Sequence, residues 1–110
     1  MDQRLATWPV MEQLAPGLTI IDFTAAWCGP CRQLRPVLET LSKEYKVPLV
    51  EVDTDHDPLT AQRFDVRSMP TVVFMRDGRE VGRFVGARPR AFVAGMLDRA
   101  LAGDVAIASP

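Results

Sequence analysis

Apolar side chains follow two alternating patterns along the chain. Short apolar runs bounded by turn-forming residues predict four β-strands, because β-branched and aromatic side chains are enriched in strands. These runs cover residues 18–25, 49–53, 71–75 and 80–85. The last two flank the dipeptide Asp77-Gly78, which favours the tight turn of an antiparallel hairpin.

Segments with helical spacing separate the predicted strands. The longest runs from Pro30 to about Tyr45, where apolar residues recur on one helical face. Pro36 lies inside this helix and should kink it, since proline removes a backbone donor and clashes with the preceding turn. Shorter helices are predicted over residues 7–14, 59–64 and 92–101. Strands that alternate with helices indicate an α/β domain.

Length and composition fit one globular domain. The chain has 110 residues, of which 47% are hydrophobic and 25% charged, far from the composition of a disordered protein. A chain of this size can bury a core that holds the fold without metal or disulfide staples. We expect a single domain over residues 1–110, with a core from about 7 to 101 and a tail from 102 to 110.

The charges of the chain nearly balance. Thirteen Lys and Arg against fourteen Asp and Glu give a formal net charge of -1, so there is no broad positive field to attract nucleic acid or anionic lipid. No apolar run approaches the roughly 20 residues that span a bilayer. The first residues do not form a signal peptide. We therefore expect a cytoplasmic protein with no nucleic-acid or membrane partner.

The two cysteines, Cys28 and Cys31, lie at the junction of a predicted strand and the longest helix. Backbone N–H groups without helical partners should lower the pKa of the Cys28 thiol, and a thiolate is the species that attacks a disulfide. At this spacing the Cα atoms lie roughly 5 to 6 Å apart, within disulfide range. Pro30 suits the first helical turn, and Gly29 would let a substrate approach the sulfur closely.

Two other interpretations of the cysteine pair compete with redox chemistry. A zinc site needs about four ligands, yet the only other soft ligand is His56, which we expect to be a solvated loop residue. A structural disulfide closing so small a loop would contribute little stability and would be unusual in a reducing compartment. Redox function is therefore favoured, with no metal.

Several motifs, in this order along the chain, resemble the thioredoxin family. They are Asp22-Phe23 within a strand, the run Trp27-Cys28-Gly29-Pro30-Cys31, Pro36 downstream, Met69-Pro70-Thr71 before a strand and Val85-Gly86-Ala87 after one. The resemblance spans about Thr7 to Leu101. It implies the thioredoxin fold, an α/β arrangement with a central mixed sheet of four or five strands flanked by about four helices. Because the segment before Asp22 is short, four strands are favoured over five.

The resemblance implies a protein-disulfide reductase that carries electrons in cell redox homeostasis. Cys28 would be the attacking nucleophile and Cys31 the resolving thiol, so that the pair ends the reaction as a disulfide. Thioredoxin reductase would then re-reduce the pair with NADPH, and the chain itself would bind no cofactor. The expected partners are this reductase and disulfide-containing target proteins, and the chain is expected to be a monomer.

Asp22 is the predicted acid-base residue. The pattern Ile20 to Phe23 places its carboxyl in a buried strand, which should raise its pKa. In thioredoxins the matching aspartate exchanges a proton with the resolving cysteine; the alternative is a purely structural carboxylate. Glu51 stands where thioredoxins commonly have a lysine facing this aspartate. If the two carboxylates are close, repulsion should raise one pKa further.

The remaining site residues would shape the substrate surface. Pro70 matches a cis-proline that faces the cysteines, and the resemblance reverses the general preference of X-Pro bonds for trans. Met69, Gly86 and Ala87 would complete an apolar rim that binds extended polypeptide. Trp27 would cover the nucleophile, although a lone aromatic could equally belong to the core. Trp8 is interpreted as a core residue.

Two other functions are compatible with the same fold. A disulfide oxidase or isomerase is opposed by the absence of a leader and by Pro30, where such enzymes usually have histidine. A non-catalytic binding module of the thioredoxin type could dispense with the cysteines, and both Cys28 and Cys31 are present.

Overall fold

A computed structural model describes residues 16–103. Its strands are β1 (Leu18–Thr24), β2 (Leu49–Asp53), β3 (Thr71–Arg76) and β4 (Arg79–Val85). Its helices are α1 (Gly29–Tyr45), α2 (Pro58–Arg63) and α3 (Arg90–Leu101). Every helix and strand predicted within this range is present, and the ends differ from the predictions by at most about two residues. Helix α1 continues through Pro36, which is exposed.

The four strands form one mixed sheet in the order β2-β1-β3-β4. Strand β1 runs parallel to β2, and β3 runs antiparallel to both β1 and β4. The mixed α/β architecture is confirmed, and the described residues contain three helices rather than about four. The predicted helix over 7–14 and Trp8 lie outside the described residues, as does the part of the predicted tail from 104 onward.

Strand β1 is buried along its whole length, and its side chains alternate between two cores. Ile20 belongs to the larger core, which lies under helices α1 and α3. Ile21 and Phe23 belong to the second core, which includes Ala61 of helix α2. Since Asp22 alternates with Ile21 and Phe23, its carboxyl lies on the face that α1 covers. Asp22, a residue that can carry a charge, therefore lies on a buried face of the sheet whose other side chains are mainly apolar.

The hairpin between β3 and β4 has the geometry that its sequence predicts. Asp77 and Gly78 both have positive φ, 51° and 83°, as a type I′ turn requires. The Asp77 carboxylate also accepts a hydrogen bond from the backbone N–H of Gly17 at 2.8 Å. This turn lies at the end of the sheet opposite the cysteines.

The pairing register brings four chain segments to one edge of the sheet. Thr24, the last residue of β1, lies beside Asp53, the last residue of β2. Thr71 begins β3 at the same edge and pairs with Val85, the last residue of β4. The loops that follow β1, β2 and β4, and the loop that precedes β3, therefore converge here.

Candidate active site

Cys28 is the N-cap of helix α1. Its backbone is extended (φ -91°, ψ 110°), and its Sγ accepts a hydrogen bond from the backbone N–H of Cys31 at 3.1 Å. The helix starts at Gly29, with Pro30 in the first turn, where the missing N–H has no helical partner to lose. A donor aimed at the sulfur stabilises negative charge there. The local sequence thus creates an anion-stabilising position for Cys28.

Cys28 and Cys31 are joined by a disulfide bond. Their Cα atoms are 5.3 Å apart, within the predicted range. Both residues are buried, and they form a small apolar cluster with Ala25, against which Met69 packs. The reactive pair therefore lies at this edge of the sheet with apolar residues packed against it.

The loops before β3 and after β4 meet beside this cluster. The Met69–Pro70 peptide bond is cis. Gly86 donates its backbone N–H to the carbonyl oxygen of Pro70 at 2.9 Å, which ties the two loops together. Of the predicted rim residues, Met69 contacts the cysteine cluster, whereas Ala87 is exposed and does not belong to that cluster among the described residues.

Trp27 lies on the surface next to Cys28, with 66% of the residue exposed. It is therefore not a core side chain. Its indole N–H donates a hydrogen bond to the Asp55 carboxylate at 3.1 Å, and Asp55 lies in the loop after β2. The sequence analysis missed Asp55. The available signal was the acidic loop Asp53 to Asp57, which follows a strand whose end lies at this edge.

Asp22 is 1% exposed, and none of the described residues forms a hydrogen bond with its Oδ1. Burial, together with the negative charge of Glu51, raises the pKa of Asp22 to about 7, although the Arg35 guanidinium opposes both effects. A carboxyl that titrates near neutral pH can both accept and return a proton under cellular conditions. The arrangement provides an acid-base group beneath α1.

Glu51 is the register partner of Asp22 in the neighbouring strand. Partners in adjacent strands project from the same face of the sheet, so the two carboxylates are neighbours, as the sequence suggested. Glu51 is exposed at its end, where its Oε2 lies 3.1 Å from Nε of Arg35 in helix α1. The sequence analysis did not identify Arg35, since nothing in a local pattern pairs a helix residue with a distant strand.

Between residues 16 and 103, no group of three or more His, Cys, Asp and Glu is placed to hold a metal ion. The imidazole of His56 is largely exposed, and its Nδ1 lies 3.2 Å from Oδ2 of Asp53. Within the same range, no helix combines the length and apolar character needed to cross a membrane.

Comparison with known proteins places this site in a family. The family model described as Thioredoxin matches residues 9–99. The chain belongs to the thioredoxin family. It is similar to the thioredoxin of Staphylococcus haemolyticus, with 40% identity over 92 residues that cover 82% of this chain and 88% of the relative. Thioredoxin from Staphylococcus aureus matches with the same identity and coverage.

Solved structures of thioredoxins are also similar to this chain in fold. The structure of Fasciola hepatica thioredoxin has 38% identity and a TM-score of 0.75, covering 84% of this chain and 88% of that one. A mutant thioredoxin from Halobacterium salinarum has 29% identity and a TM-score of 0.78, covering 84% of this chain and 81% of that one. Thioredoxin family membership and the paired cysteines make this chain a protein-disulfide reductase, as the sequence predicted.

Proposed function

We propose that this chain reduces disulfides in other proteins by a two-step exchange in which Cys28 attacks and Cys31 resolves. The observation that carries the proposal is the hydrogen bond from the Cys31 N–H to Cys28 Sγ at the start of helix α1. In the reduced protein this donor and the helix N-terminus favour the thiolate at Cys28 over the thiol.

In the first step the Cys28 thiolate attacks one sulfur of the substrate disulfide. A mixed disulfide forms between Cys28 and the substrate, and the other substrate sulfur leaves as a thiolate, which takes up a proton. In the second step Cys31 loses its proton and attacks Cys28 Sγ. The second substrate thiol is released, and the Cys28–Cys31 disulfide holds the oxidising equivalents of the substrate.

Asp22 is proposed as the group that takes the proton from Cys31, through water. Cys31 is 1% exposed, so a base in bulk solvent has poor access to it. Asp22 and Cys31 both lie between the sheet and helix α1, and a pKa of about 7 leaves Asp22 partly ionised at neutral pH. The unpartnered Oδ1 can accept a proton without first breaking a hydrogen bond to a described residue.

The substrate is proposed to lie across Met69, Pro70, Gly86 and Ala87 as an extended segment, with Trp27 beside the reacting sulfur. An extended strand presents its backbone groups and alternate side chains to a surface of this kind. Because the residues packed against the cysteines are apolar, segments with apolar side chains next to the cystine should bind best.

The reduced form is proposed to be regenerated by thioredoxin reductase, with NADPH as the source of two electrons. The chain itself would bind no cofactor, would act as a monomer and would work in the cytoplasm. In that reducing compartment, the cysteine pair would be kept mainly in its dithiol form.

The test is to trap the mixed disulfide. Cys31→Ser leaves the attacking thiol without its resolving partner, so incubation of the reduced variant with insulin should accumulate a covalent adduct on Cys28. Cys28→Ser is the matched control and should accumulate at least about tenfold less, because Cys31 lacks the backbone donor that stabilises a thiolate at Cys28. Adducts of equal yield in the two variants would reverse or remove the assigned roles.

A further inference from the structure

A surface ion pair crosses from helix α1 to strand β2 beside the buried carboxyl. Arg35 lies one helical turn after Cys31, and its Nε is 3.1 Å from Oε2 of Glu51. Glu51 is in turn the register partner of Asp22. The pair therefore joins the helix that carries the resolving cysteine to the strand that lies beside the proposed proton acceptor.

The charges around Asp22 can be assigned element by element. Strand β2 contributes Glu51, and helix α1 contributes Arg35, together with Cys31, which is titratable when reduced. Strand β3 places the apolar Val72 opposite Asp22 in the register. Helix α3 contributes the buried apolar residues Val93, Met96 and Leu97 to the core on this face. Among the described residues, the charged groups that act on Asp22 are thus the Glu51 carboxylate, which raises its pKa, and the Arg35 guanidinium, which lowers it.

The exposure of the pair indicates that its main role is not stability. The side chains of Arg35 and Glu51 are 46% and 37% exposed, and ion pairs with this exposure contribute little to folding. Asp22, in contrast, is buried, so the field of both charges reaches it partly through protein rather than through water. A modest ion pair can therefore have a large effect on the ionisation of its buried neighbour.

We propose that Arg35 and Glu51 are positioning residues for proton exchange at Asp22, with Glu51 holding the guanidinium of Arg35 where it offsets the repulsion between the two carboxylates. The proposal rests on the proposed role of Asp22 in the second step of disulfide exchange. Without Arg35, two neighbouring carboxylates would face each other uncompensated. Without Glu51, the long Arg35 side chain would lose the partner that fixes it.

The direct test is an NMR titration of the Asp22 carboxyl carbon in the oxidised protein, where neither cysteine titrates. Arg35→Gln should raise the midpoint by about half a pH unit or more, and Glu51→Gln should lower it by a similar amount. The charge swap R35E/E51R keeps the ion pair and the net charge but places the cation next to Asp22, so it should lower the midpoint. A merely structural pair would leave the midpoint of the swap unchanged.

A double-mutant cycle tests whether Glu51 holds Arg35 in place. If it does, adding Arg35→Gln to Glu51→Gln should raise the midpoint by less than Arg35→Gln does in the parent. Equal effects in the two backgrounds would overturn the positioning role of Glu51. The matched control is E44Q/R90Q, which removes a similarly exposed ion pair between helices α1 and α3 and should leave the midpoint unchanged.

The kinetic test follows the pH dependence of insulin reduction by the same variants. Its midpoint should move in the same direction as the NMR midpoint, and a fixed kinetic midpoint would overturn the role in proton exchange. Asp22→Asn separates this proposal from the one on which it rests. If Asp22→Asn removes the pH dependence while the Arg35 and Glu51 variants leave it in place, only the ion-pair proposal fails. If Asp22→Asn itself has no effect, the proton-acceptor role of Asp22 fails.

Discussion

The indole N–H of Trp27 and the carboxylate of Asp55 are joined by a hydrogen bond of 3.1 Å across the edge of the sheet. Trp27 comes from the loop after β1 and Asp55 from the loop after β2, so the bond ties two loops that are separate in sequence. Most of the indole surface nevertheless faces solvent. The bond therefore holds an exposed aromatic surface in one orientation beside Cys28.

Removing the acceptor should slow substrate reduction at little cost in stability. Asp55→Ala frees the indole of Trp27, and each encounter with substrate must then reorder it. We expect kcat/KM for insulin reduction to fall about two- to fivefold, with a loss of stability under about 1 kcal/mol, as for an exposed hydrogen bond. Asp55→Asn keeps an acceptor oxygen and should stay close to the parent. A loss of the same size in both variants would show that charge, not orientation, matters.

The buried carboxyl of Asp22 should make stability depend on pH. The pKa of this group is about 7 in the folded protein, against an ordinary value of 3.8. A carboxyl with a raised folded-state pKa keeps its proton in the native state while the unfolded chain loses it. Its contribution to stability is thus complete below about pH 4, falls as the pH rises, and is lost above about pH 7. Between these two pH values the free energy of unfolding falls by on the order of 4 kcal/mol because of Asp22.

Asp22→Asn removes this dependence and isolates it from other carboxyl groups. The free energy of unfolding of the oxidised variant, minus that of the oxidised parent, should increase by about 1.4 kcal/mol for each pH unit between about pH 4 and 7, then level off. Urea titrations at five or six pH values measure this difference. A difference that is constant with pH would mean that Asp22 has the same pKa in the folded and unfolded chains.

Helix α2 begins with a side-chain cap from Asp57. Asp57 accepts hydrogen bonds from the backbone N–H of Thr60 at 3.2 Å and from its hydroxyl at 2.6 Å. Asp57→Ala should lower the free energy of unfolding by about 1 kcal/mol, the usual cost of losing such a cap. Asp57→Asn keeps the capping oxygen and should recover most of it. Equal losses in the two variants would indicate that the negative charge, rather than the cap, stabilises the helix.

The helices and strands were predictable because their signals are local. Apolar runs and helical periodicity give each element, and Asp77-Gly78 gives the hairpin turn, so the predicted ends differ little from those in the structure. The cysteine pair was equally predictable from the sequence, since its two members are three residues apart and lie where a strand is followed by a helix. These features depend on neighbours in sequence rather than on the packing of distant segments.

The electrostatic environment of the site could not be predicted in the same way. Arg35 and Asp55 are exposed polar residues whose partners are 16 and 28 positions away, and exposed residues carry no periodic signal of their contacts. The family resemblance drew attention to Glu51 as a departure from the expected lysine. It could not indicate that a cation would reach the same place from helix α1. Such pairings become visible only when the register of β1 and β2 is known.

Gly86 and Gly78 both have positive φ but lie at opposite ends of the β3–β4 hairpin. Comparing their Gly→Ala variants therefore separates an effect on stability from an effect on activity. Gly86 (φ 92°) lies beside Pro70 at the cysteine edge, and Gly78 (φ 83°) lies at the far end of the hairpin. A Cβ added at either position would meet no atom within 4 Å, so the cost of Gly→Ala is the backbone conformation alone. Each substitution should lower the free energy of unfolding by about 1 kcal/mol, because L-residues disfavour positive φ.

Only Gly86→Ala should also impair catalysis. Any relaxation of its strained backbone moves the N–H that binds the Pro70 carbonyl at 2.9 Å, and with it the loop that carries Met69 against the cysteine cluster. We expect KM for insulin to rise severalfold, since precise placement of a binding surface is sensitive to shifts of about 1 Å. Steady-state kinetics give KM for the two variants, and urea titrations measure how much stability each has lost. If Gly78→Ala raises KM as much as Gly86→Ala, general destabilisation accounts for both, and the link between Gly86 and Pro70 has no part in binding substrate.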